Sequence, residues 1–140
     1  MSNDPLLLDT HCWLWMELGL TKRLGRAALS RIRSAELRGE LRVSVISIWE
    51  LGMLEKNRRI ALPMNVRLWV DQLLKNPVWS LVALTPEIAL ESVQLPGSLH
   101  GDPADRIIVA TARVLNATLL TKDQRLIEYS EQRHVKVLEA

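Results

Sequence analysis

One cysteine among 140 residues excludes an intrachain disulfide and a thiol-rich metal site, and it suits a reducing cytosol. Cys12 is then most simply a small buried hydrophobe. No apolar run approaches the roughly 18 residues of a membrane span, and the start MSNDPLLLD lacks the basic n-region and long apolar stretch of a signal peptide. The expectation is a cytoplasmic protein with no membrane partner. Strong charge of either sign is also missing: 18 Lys+Arg against 16 Asp+Glu leave a formal net charge of +2. That mild basic bias permits a nucleic-acid partner without requiring one. Histidines number three and are scattered, which disfavours zinc. There is no repeat, low-complexity tract or linker, and 48% hydrophobic content over this length suffices for one domain spanning residues 1–140.

What the chain does contain is an alternation of short apolar runs with longer helical patterns. LLLD at 6–9, LRVSV at 41–45, WSLVAL at 79–84, ATLL at 117–120 and VKVL at 135–138 read as strands. Their nearly continuous hydrophobicity is what parallel strands covered on both faces require. Helical patterns fall at 25–39, 47–59, 65–76 and 103–116, and Pro96, Gly97 and Gly101 mark one loop. Alternating β and α units predict a three-layer α/β/α fold around a mostly parallel, five-stranded sheet.

The acids take meaning from this plan. Asp9 closes the first strand, Glu50 lies just past the second, and Asp123 follows the fourth after two residues. In an open parallel sheet these strand ends and helix starts share the edge at which ligands bind. Asp102 and Asp105 open the helix that leads into the fourth strand, and their arrival at the same edge is an assumption. Helix capping competes as an explanation for each. Ser47 and Glu50 have the spacing of a capping box, Asp102 precedes Pro103 as an N-cap would, and Asp9 and Asp123 both precede helical patterns. A cap and a metal ligand are compatible, because a carboxylate has about four lone-pair sites. Two carboxylates about 4 Å apart repel by roughly 4 kcal/mol at an effective dielectric near 20. Such a cluster must protonate, spread or bind a cation, and an oxygen-only set suits Mg²⁺ or Mn²⁺.

The stretches LLLDTHCWLW, SVISIWELGMLEKNRRI, LTPEIALESVQLPGSLHGDPADRIIVATA and LLTKD, in this order, resemble the PIN domain, in particular the VapC toxins of bacterial toxin–antitoxin pairs. The resemblance implies a metal-dependent endoribonuclease whose family acids fall on Asp9, Glu50, Asp105 and Asp123. Asp102 takes the extra acidic position as a secondary ligand or a cap. It further implies RNA as substrate, a cognate antitoxin and a homodimer, with the tryptophan-rich N-terminal helices, including Trp13 and Trp15, offering an apolar groove. Thr10 and Thr121 adjoin two of the acids and are candidates to hydrogen-bond a carboxylate or a bound water. Lys56, Arg58, Arg59, Arg106, Lys122 and Arg125 are candidate phosphate contacts, with dipole-complementing surface charge as the competing reading for residues 56–59. Trp13 and Trp49 could stack on a base or, more simply, pack in the core. His11 and His100 have no partner identifiable from sequence.

Three other readings compete. A haloacid-dehalogenase-like phosphatase needs a second acid two residues after the first, where this chain has His11. A phosphoaspartate receiver needs paired early acids and a late strand-end lysine, for which Lys122 is a weak candidate. A partner-binding α/β domain without activity is the third.

Overall fold

The computed structural model describes residues 3–140. Five strands, β1 (Leu6–Leu8), β2 (Leu41–Ser44), β3 (Ser80–Val82), β4 (Thr118–Thr121) and β5 (Lys136–Glu139), form one sheet in the order β3-β2-β1-β4-β5. Every pairing is parallel, where the sequence predicts a mostly parallel sheet. The helices are α1 (Thr10–Glu17), α2 (Arg26–Leu37), α3 (Val45–Lys56), α4 (Val66–Leu74), α5 (Pro86–Val93), α6 (Pro103–Leu115) and α7 (Gln124–Ser130). Strand and helix limits shift by one to three residues from the predicted ones. α5 is new: its start, Thr85-Pro86, is an N-cap followed by proline at the first helical position.

The centre of the sheet explains the leucine run. Leu6, Leu7 and Leu8 are fully buried on a strand with neighbours on both sides. Successive side chains point to opposite faces. Leu6 and Leu8 join one core cluster with Cys12, Trp13, Ile32, Leu51 and Trp69 from α1 to α4, while Leu7 joins a second with Ile88, Ile108, Leu119 and Leu126, which includes residues of α5, α6 and α7. Three layers result. Burying each of these leucines is worth about 1.5–3 kcal/mol, so an acid inserted among them would not be tolerated, and the acid comes where the run stops.

Strand order reverses at β1, which lies between β2 and β4 although β2 follows it in the chain. The crevice between the carboxyl ends of β1 and β4 is therefore the switch point, the place where α/β sheets bind ligands. Asp9 stands at that point, its amide donating to Leu120 O at 3.0 Å.

Candidate active site

At the switch point Asp9 is only 8% exposed and has both carboxylate oxygens occupied. Oδ1 accepts from the Cys12 amide at 3.0 Å, capping α1, and Oδ2 accepts from the hydroxyl of Thr121 across the crevice. The Thr121 hydroxyl also accepts from the Asp123 amide at 3.0 Å, which ties the end of β4 to Asp9. Burial nevertheless raises the Asp9 pKa above the ordinary carboxylate value, against the lowering effect of these hydrogen bonds.

Glu50 reaches the same crevice from the second turn of α3. The capping-box reading of Ser47 and Glu50 fails, because α3 starts at Val45, two residues before Ser47: Ser44 is the N-cap, its hydroxyl accepting from the Ile46 amide at 3.1 Å. Ser47 is instead fully buried within the helix. Thr10 donates its one proton to Glu50 Oε1 at 2.5 Å and lies 2.8 Å from the Ser47 hydroxyl, so Ser47 is the donor of that second bond. Burial first, then the charges of Asp102 and Asp9, push the Glu50 carboxyl up, offset in part by the Thr10 bond.

α6 contributes the remaining pair. Asp102 is the exposed N-cap, accepting from the Asp105 amide at 3.2 Å, with Pro103 next in the first helical position. Asp105, one turn on, faces into the crevice, where desolvation and the charges of Asp102, Asp123 and Glu50 raise its pKa to about 7. Arg125 lies 3.6 Å from Asp105 and 3.5 Å from Asp123, and opposes that rise only partly. Asp123 in turn caps α7 through the Arg125 amide at 2.9 Å.

These acids share one pocket of about 370 Å³, lined by Asp9, Thr10, His11, Trp15, Glu50, Asp102, Asp105, Ile108, Lys122, Asp123 and Arg125. The assumption that the start of α6 reaches the edge holds. Among the described residues no three His, Cys, Asp or Glu side chains stand as a closed ligand set. The donor chemistry nevertheless fits a hard cation: five carboxylates line one pocket, and burial, joined at Glu50 and Asp105 by the charges of neighbouring acids, makes three of them resist ionisation.

Other sequence expectations fare differently. Arg106, expected to contact phosphate, donates instead to the carbonyls of Ser92 at 2.9 Å, Leu99 at 3.1 Å and His100 at 3.4 Å, and so clamps the loop before α6. Arg58 and Arg59 line a separate depression beyond the far end of α3 with Ile60, Leu62 and Met64, and Lys56 closes that helix. Lys122 and Arg125 do line the acidic pocket. Trp13 is in the core against Trp69, which removes it from the proposed exposed groove, whereas Trp49 is 58% exposed, contrary to the core reading. Trp15 is half-buried at the pocket.

His100 gains the partner that sequence did not supply. Its Nδ1 accepts from the Asp102 amide at 3.3 Å, which leaves the proton on Nε2, 3.3 Å from Asp105 Oδ2. The loop geometry that creates this contact is made by Arg106, by Tyr129 of α7, which donates to Pro96 O, and by Gln132 just after α7, which exchanges bonds with the Ser98 backbone. No sequence spacing signals it.

A family model described as PIN domain matches residues 6–132. The chain belongs to the PIN-domain family. It is 40% identical over 132 residues to Ribonuclease VapC22 of Mycobacterium tuberculosis, covering 94% of this chain and 97% of that one. Among solved structures, VapBC2 of Rickettsia felis bound to a promoter DNA fragment matches with a TM-score of 0.67 at 14% identity, over 96% of this chain and 98% of that one. DNA-bound VapBC of Salmonella typhimurium gives 0.66 at 15% identity, over 97% and 98% of the chains, and FitAcB of Neisseria gonorrhoeae gives 0.62 at 18%, over 95% and 96%. These structural likenesses concern the fold. With a PIN domain over nearly the whole chain, the receiver and phosphatase readings fall away.

Proposed function

We propose that this PIN-domain protein is a metal-dependent endoribonuclease that hydrolyses RNA phosphodiester bonds and acts as the toxin of a toxin–antitoxin pair. The observation that carries the reading is the convergence of Asp9, Glu50, Asp105 and Asp123 on one pocket at the switch point, with too little positive charge beside them. Its 40% identity to a protein named a ribonuclease supplies the substrate class.

Those four carboxylates would hold Mg²⁺ or Mn²⁺, with Asp102 as a candidate outer contact. A bound ion of this kind supplies an activated water and screens the charge that develops on the phosphate. The chain's own residues prepare the place. Thr121 orients Asp9, Thr10 orients Glu50, and each spends its hydroxyl proton on one carboxylate oxygen, leaving further lone pairs for a ligand. Arg125 brackets Asp105 and Asp123. Burial excludes bulk water from Asp9 and strengthens every charge interaction around it.

The partner assignment rests on the chain's similarity to Ribonuclease VapC22 and to chains solved in VapBC assemblies. An acid-lined pocket is a fitting receptor for an antitoxin arginine, whose fork pairs carboxylates. A homodimer is proposed with it. Purified protein should cut RNA with Mg²⁺ or Mn²⁺ and stop on addition of a chelator, and expression alone should arrest growth until the antitoxin is co-expressed. Undiminished cleavage in excess EDTA would overturn the metal mechanism.

A further inference from the structure

The acidic pocket has one wall that does not fit a metal site. Trp15, one helical turn beyond His11 on α1, carries two cations against its indole: the Lys122 ammonium lies 5.6 Å from the ring centroid and the Arg23 guanidinium 5.8 Å. Three segments meet there, since Lys122 directly follows β4 and Arg23 belongs to the short 3₁₀ turn Thr21–Arg23 after α1. Both cations are exposed, and among the described residues neither forms an ion pair or a side-chain hydrogen bond. Lys122 lines the pocket of five carboxylates and yet pairs with none of them, and Arg23 reaches its rim through the shared indole. Arg125, by contrast, is committed to Asp105 and Asp123. A cation held on an aromatic face keeps its N–H donors available to an anion, which one paired with a carboxylate does not.

We propose that Trp15 is a positioning residue that parks Lys122 and Arg23 beside the acids, so that together they grip a backbone phosphate of the RNA strand next to the one being cut. The inference rests on the ribonuclease reading and adds the means by which an acidic pocket tolerates a polyanion. Held cations on one rim offset the carboxylates and fix where the strand enters. Trp15 touches no reacting atom; it acts through the two basic side chains.

The test uses a fluorescently labelled single-stranded RNA oligonucleotide and full-length protein in the Asp9→Asn background, with affinity read by anisotropy across a salt series. Parallel cleavage of the same RNA is followed in otherwise wild-type protein. Replacing both cations, Arg23→Gln with Lys122→Gln, should weaken binding about tenfold and flatten the slope of log Kd against log salt by about 0.7, the value for one lost phosphate contact on a single strand. Trp15→Leu should weaken binding several-fold, Trp15→Phe should restore most of it, and cleavage by Trp15→Leu should show a raised KM with kcat kept. The deciding comparison places Trp15→Leu in the double-Gln background, where it should have no further effect. A loss that persists there means the indole contacts RNA directly and overturns the positioning role, as does wild-type affinity in the double-Gln protein, whose surface substitutions leave the core intact. If the unmodified protein cuts this RNA but Trp15→Leu changes nothing, only this inference fails. If it neither binds nor cuts RNA, the ribonuclease reading fails and this one with it.

Discussion

Asp105 offers the sharpest test of the charge argument, because its pKa near 7 has consequences for stability that need no substrate. The unfolded chain releases this proton near 3.8, whereas the folded protein keeps it to about 7. Between those values the folded state binds more protons, so the stability associated with this group is fully present below about pH 4 and is lost as pH rises through about 7. Each unit is worth about 1.4 kcal/mol. Between pH 5 and 8.5 the wild-type protein should lose on the order of 2 kcal/mol relative to Asp105→Asn, after discounting for the 16% of the side chain still in water. For a chain of this size that is about 5 °C or more in Tm. Melting curves in EDTA should therefore lie closer together at pH 5 than at pH 8.5, with Asp105→Asn the more stable at the higher pH. Adding Mg²⁺ or Mn²⁺ at pH 8.5 should raise the wild-type Tm and leave that of Asp105→Asn nearly unmoved. If Asp105→Asn melts lower at every pH, the carboxylate is a stabilising contact of His100 and Arg125 and the repulsion argument is wrong.

Asp9→Asn should fold normally, because an amide oxygen still accepts from the Cys12 amide, while RNA cleavage falls to background; residual cleavage above a few per cent would remove Asp9 from the catalytic set. Asp102→Ala should lower stability by about 1 kcal/mol through loss of the cap and retain most of the cleavage rate, the opposite pattern to Asp105→Ala. Thr121→Val leaves Asp9 Oδ2 without its donor and should weaken metal affinity about tenfold, measured by the metal concentration that gives half-maximal cleavage.

The alternation of apolar runs and helical patterns was enough to read a three-layer fold, because parallel strands buried on both faces have no polar positions to spare, and LLL of β1 is the extreme case. Strand ends located Asp9 and Asp123 for the same reason: a polar residue directly after such a run marks the edge. Glu50 falls at the right edge because it follows the second strand, and it is the competing capping-box reading that fails. The capping-box spacing is real, but α3 begins at Val45, and only the packing of α1 against α3 pairs Thr10 with Glu50. The PIN resemblance named four acids in their order along the chain, yet three facts were decided by tertiary structure alone. Strand order brings β4 beside β1 and so Thr121 onto Asp9, across 112 residues of chain. The loop clamped by Arg106 turns His100 toward Asp105 and spends a guanidinium that sequence offered to phosphate. Packing also separates the tryptophans: Trp13 goes into the core, Trp49 out to solvent and Trp15 under two cations at the mouth of the pocket. Residue type sets what a side chain can do. Its neighbours, drawn from distant parts of the chain by burial and strand order, set which of those things it does.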